Sequence, residues 1–126
     1  MKIFELLEDI SQPQLNAVQQ YATALWHHLG VDIQFTHHFL DRVNDERNGV
    51  PITPDELIHL FKKEYAAYGD KIAELAPNSE AVMKDLMTKI NIPFVVTGNP
   101  RHPKIVAKTV MRKPNFKTTN PEYKVR

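Results

Sequence analysis

Apolar residues recur at spacings of three and four through the first two-thirds of the chain and alternate with polar ones through the last third, so helices lead and strands follow. Leu15, Val18, Ala22, Leu25, Trp26 and Leu29 line one side of a long helix that starts at Ser11, carries Pro13 in its first turn and stops at Gly30. Trp26, in line with leucine and valine, is expected in the core. Residues 31–35 alternate with the period of a half-buried strand. Thr36 then suits an N-cap, and His37 to Arg47 reads as a short helix running out at Asn48-Gly49. Thr53-Pro54-Asp55-Glu56 carries a capping residue, a proline at the first helical position and the glutamate of a capping box. The helix it opens has Leu57, Leu60, Phe61, Tyr65 and Tyr68 on its apolar side and Gly69 as its expected end.

Residues 70–90 leave two options: a helix after Ser79, or chain already extended by Ile90-Asn91-Ile92. Ile92 to Thr97 is strand-forming, with Pro93 tolerated at a strand start or on a sheet edge. Residues 98–103 form a turn, and Lys104 to Arg112 alternates again, completing a hairpin. Pro114 interrupts it, and Glu122 to Val125 adds a last short strand. Neither an internal repeat nor a linker is visible, so residues 1–126 read as one α+β domain: a leading helical segment over 1–30 and a helix-plus-sheet core over 31–126.

A chain of 126 residues can bury one core without disulfides or structural metals. Cysteine is absent, which excludes a disulfide framework, a thiolate metal site and a thiol nucleophile. The N-terminal residues lack the apolar core of a signal peptide and no apolar run reaches membrane-spanning length, so a cytoplasmic setting away from the membrane is expected. The formal charge of +1 conceals a division. Residues 1–80 hold 6 basic against 13 acidic side chains, and residues 81–126 hold 10 against 2. The basic end suits a phosphate backbone, or it neutralises the acidic helices by packing near them.

Three groups of residues could carry chemistry. On a helix over 37–47, His38 and Arg42 share a column beside the buried stripe of Phe39, Leu40 and Val43, while Arg47 falls in the apolar arc. Arg47 there either caps the helix end or meets an anionic ligand. His38 is either a locally bonded surface histidine or an acid/base group, since imidazole titrates near neutrality. On the 104–112 strand, alternation puts Lys104, Lys108 and Arg112 on one face with Val106 and Val110, and Thr109 on the other. Lys113, Lys117 and Thr118 continue in a basic, polar segment that suits successive phosphates or forms a solvated face. The histidines lack the spacing of a helical zinc motif, and neither metal nor cofactor is expected. Cutting RNA without metal needs a base for the ribose 2′-hydroxyl, cations for the phosphorane and an acid for the leaving oxygen; His, Arg, Lys and Thr suffice.

The run His38-Phe39-Leu40-Asp41-Arg42, the second arginine at Arg47, the Gly49 turn, the capped helix from Thr53 and the later Lys108-Thr109-Val110-Met111-Arg112-Lys113-Pro114-Asn115-Phe116 resemble the phage-borne Barnase–EndoU–Colicin–RelE-like nucleases over residues 31–125. The resemblance implies N-terminal helices packed on a small antiparallel sheet with a concave face where RNA is cut. It implies His38 as base or acid, Arg42 and Arg47 on phosphate, and Lys108, Thr109 and Arg112 completing the site. A phage ribonuclease acting on RNA in the host cytoplasm, carried there in the virion or made in place, follows from it. The rival expectations are a non-catalytic virion or host-takeover protein that binds a host protein through its basic sheet, and a small DNA-binding accessory protein.

Overall fold

The computed structural model describes residues 9–126. Helix α1 (Gln12–Trp26) is capped at Ser11, whose side chain accepts from the Gln14 N–H while the Gln14 side chain accepts from the Ser11 N–H. A single 3-10 turn at His27–Leu29 ends on Gly30 in the left-handed region, φ +72°. There follow β1 (Asp32–Phe35), α2 (Phe39–Val43), a 3-10 turn (Glu46–Asn48), α3 (Pro54–Ala73), β2 (Glu80–Asp85), β3 (Ile90–Asn99), β4 (His102–Ala107), β5 (Met111–Arg112) and β6 (Glu122–Val125). The open region over 70–90 therefore resolves as the end of a helix followed by a strand. Helix α3 opens with the expected Thr53–Glu56 capping box but runs through Gly69 to Ala73. Gly69 is there for clearance: a Cβ would lie 2.8 Å from the Leu29 side chain, so glycine lets α3 approach the end of α1.

The sheet is mixed, not antiparallel throughout, in the order β1-β4-β3-β2-β6. Short turns join β2, β3 and β4, and these pair antiparallel; β1 and β6 arrive by long connections and pair parallel with β4 and β2. Alternate strand residues, among them Ile33, Ile105, Phe94, Ile92 and Met83, bury themselves against Trp26, Leu57, Leu60 and Phe61 of the helices. Trp26 is fully buried, as its register predicts, and donates its indole N–H to the Phe61 carbonyl at 3.3 Å. Glu64 of α3 also faces inward. Neither of its oxygens has a hydrogen-bond partner. Burial pushes its carboxyl up to about 9; the Lys84 backbone N–H nearby favours the charged form but lies outside bonding geometry, and Asp85 adds repulsion.

Two predicted elements are remade, and both bear on function. The helix over 37–47 is only one turn and a half, because Asn44 and Asp45 turn their side chains onto backbone groups. Asn44 bonds both the N–H and the carbonyl of Ile10 at 2.8 Å, and Asp45 accepts from the Arg47 N–H at 2.9 Å. Thr36 does not cap α2 with its side chain; it donates instead to the Lys108 carbonyl at 2.9 Å. The strand over 104–112 is also broken. Between the pairs Phe94–Ala107 and Asn91–Met111, β3 spends two residues and the facing chain three, a one-residue bulge at Lys108–Val110. Pro93, inside a central strand and not on an edge, stands opposite it. Its carbonyl accepts the Lys108 N–H at 2.9 Å, but proline has no N–H to return, so the Lys108 carbonyl is left for Thr36.

Candidate functional site

The bulge and the turn of α2 face each other across a groove of about 740 Å³. Its helical wall carries His38, Arg42 and Arg47, and its strand wall carries Lys108, Thr109, Arg112 and Lys113. Two clasps hold the walls together. Thr36 grips the Lys108 carbonyl and sends its own N–H to the Ala107 carbonyl at 3.2 Å, which fixes the start of α2 beside the bulge. At the other end Asn48, buried, donates to the carbonyls of Arg42 and Val43 at 2.9 and 3.2 Å and accepts from the Arg112 N–H at 3.0 Å. Sequence reading missed Thr36 and Asn48 in these roles, along with Glu56.

His38 stands at the N-cap of α2, exposed, its ring 4.0 Å from that of His37. Arg42 follows one turn on, its N–H bonded to the His38 carbonyl at 3.1 Å, so the expected column of imidazole and guanidinium is present. Lys108 comes to the same groove from 66 residues later, its ammonium ion-paired with Glu80 at the sheet surface. Thr109 is half-buried at the bulge.

Five predicted phosphate ligands are placed otherwise. The bulge shifts the strand's alternation by one residue, so Arg112 pairs opposite the buried Ile90 and leaves the face of Lys104 and Lys108. Its guanidinium spends all five N–H donors inside the protein: two on Glu56 at 2.7 and 3.1 Å, and three on the carbonyls of Val50, Pro51 and Thr88 at 2.8 to 2.9 Å. Arg112 is thus a fastener and carries no donor to a phosphate. Burial would raise the Glu56 carboxyl, but the Arg112 hydrogen bonds and the Thr53 N–H together hold it below its ordinary value. Arg47, off any apolar arc, is 77 % exposed and forks onto Asp45 at 2.8 Å. That bond, with the Arg47 N–H and the Arg42 charge, holds Asp45 down to about 2. Lys117 and Thr118 lie outside the groove on the segment that follows; the Thr118 hydroxyl accepts from the Asn120 N–H at 3.1 Å. Lys104 lines a neighbouring hollow on the outer sheet face.

No group of three or more His, Asp or Glu among the described residues is placed to hold a metal ion, and no helix among them is long and apolar enough to cross a membrane. Comparisons of the chain with protein-family models, curated proteins and solved structures find no match.

Proposed function

We propose that this chain is a ribonuclease of the Barnase–EndoU–Colicin–RelE-like kind, phage-borne, that cuts host RNA by metal-independent transphosphorylation. One observation carries the reading: His38, Arg42, Lys108 and Thr109, singled out in the sequence by their chemistry and by the family resemblance, line a single groove at a bulge, a backbone device common beside active sites. His38 takes the proton of the ribose 2′-hydroxyl as the 2′-oxygen attacks phosphorus. The developing charge on the phosphorane meets the Arg42 guanidinium and the Lys108 ammonium, with the Thr109 hydroxyl donating beside them. The phosphorus–5′-oxygen bond breaks, the leaving oxygen takes a proton from the Lys108 side of the groove or from water, and the products are a 2′,3′-cyclic phosphate and a 5′-hydroxyl.

End-labelled single-stranded RNA incubated with the purified protein in EDTA tests this directly. The expected products carry 2′,3′-cyclic phosphate, and the pair His38→Ala with Arg42→Ala abolishes them. Intact RNA, or cleavage that survives the pair, overturns the reading. A second reading, a non-catalytic protein holding a host protein or nucleic acid on the same basic surface, draws on the carboxylates already paired with Lys108 and Arg47. It predicts retention of the partner without any turnover.

A further inference from the structure

Asn48-Gly49 is the one Asn-Gly step in the chain. The pair is chemically weak, because glycine has no side chain to shield its backbone nitrogen from the asparagine amide before it. Water is the only co-reactant the chemistry needs. The Gly49 nitrogen loses its proton to hydroxide and bonds to Cγ of Asn48, the Cγ–Nδ2 bond breaks, and ammonia departs from a five-membered succinimide. Water then opens that ring at one carbonyl or the other, which leaves aspartate, or isoaspartate with the chain running through the side-chain carboxyl.

The fold keeps both reacting groups occupied. Asn48 is 8 % exposed, and its amide is fixed on three sides: Nδ2 donates to the Arg42 and Val43 carbonyls at 2.9 and 3.2 Å, and Oδ1 accepts from the Arg112 N–H at 3.0 Å. The nucleophile is tied as well, since the Gly49 N–H donates to the Glu46 carbonyl at 3.0 Å. Glycine is needed at 49 for its φ of +73° and not for clearance, because an added Cβ would meet nothing within 4 Å. Attack therefore requires the Asn48 side chain to leave α2 and β5 and turn back over its own peptide, so the clasp must open first. The product does not restore it. A carboxylate at 48 still accepts from the Arg112 N–H, but it faces the Arg42 and Val43 carbonyls with no hydrogen to donate.

We infer that Asn48-Gly49 is a self-modification site gated by the clasp between the two walls of the groove. Closed, the clasp protects the amide; once it opens, succinimide chemistry turns the amide into an acid and keeps the walls apart. The inference stands on the clasp and does not need the ribonuclease reading.

The whole protein, aged at mildly alkaline pH either folded or in guanidinium chloride and then digested with trypsin, tests this by mass spectrometry of the peptide that begins at Asn48. The exposed Asn78, followed by Ser79, serves as internal reference. In denaturant Asn48 should lose its amide faster than Asn78. In the folded protein the order should invert, with Asn48 slowed at least about a hundredfold. The variant Asn48→Asp should lower the hydrogen-exchange protection of the Gly49 and Arg112 N–H groups at least about tenfold. Should that variant not fold, the modified fraction of aged wild type, separated by its added negative charge, is expected to show the same loss. Asn48 reacting ahead of Asn78 in both states, or not reacting in denaturant, overturns the gated site. Unchanged protection in the variant or in the modified fraction overturns the claim that the walls are kept apart.

Discussion

Arg42, on the helical wall of the groove, stands exposed on a single turn of helix, whereas Arg112, on the strand wall, gives every guanidinium N–H to Glu56 and three backbone carbonyls. Both are arginines in one cleft, both were candidates for phosphate, and a count of charge does not separate them. Donor accounting does. A guanidinium with five satisfied donors contributes to the groove as a wall, and only one with open donors contributes as a ligand.

That contrast breaks first at Arg112. Arg112→Met leaves a largely covered carboxylate at Glu56 and three carbonyls without partners, so urea unfolding should lose about 3–5 kcal/mol. Arg112→Lys should not restore it, since a lysine cannot reach both faces of the fork. Arg42→Ala is the converse: stability within about 0.5 kcal/mol of the wild type, with RNA cleavage down about 10²–10³-fold. Equal effects on stability from the two variants would erase the distinction.

Acid should act on the strand wall before the helical one. The Glu56 carboxyl is held below its ordinary 4.5, so its contribution to stability is complete above that value and is lost as pH falls through its folded value. Thermal melts between about pH 5 and pH 3 should therefore show the wild type losing more stability than Glu56→Gln. The smallest effect belongs to Arg47→Ala. Its pairing with Asp45 is at the surface, and less than about a threefold change in RNA affinity is expected.

Much of the architecture was legible. Ser11 with Pro13 and the capping box at Thr53 mark where α1 and α3 begin, and alternation finds β1, β3 and β4. Gly69 misled because a glycine on a helical pattern reads as a stop unless the neighbour it makes room for is known. The mixed pairing of the sheet was hidden for a similar reason: alternation identifies strands without giving their neighbours. For the site, His38, Arg42 and Lys108 come from local chemistry, but the face of Arg112 does not. A one-residue bulge inverts alternation without changing composition, and its only trace in the sequence is Pro93, 15 residues earlier. Glu64, buried on the apolar side of α3, and the clasps at Thr36 and Asn48 depend on contacts that no local pattern carries.

The most direct test of a shared phosphodiester site is an amide and side-chain NMR titration with a 2′-deoxy dinucleotide, which can bind but lacks the attacking hydroxyl. His38, Arg42, Lys108 and Thr109 should shift together and saturate with one affinity, while His59 and His102, outside the groove, stay put. Shifts that leave His38 and Lys108 unmoved, or that saturate separately at the two walls, would contradict the account.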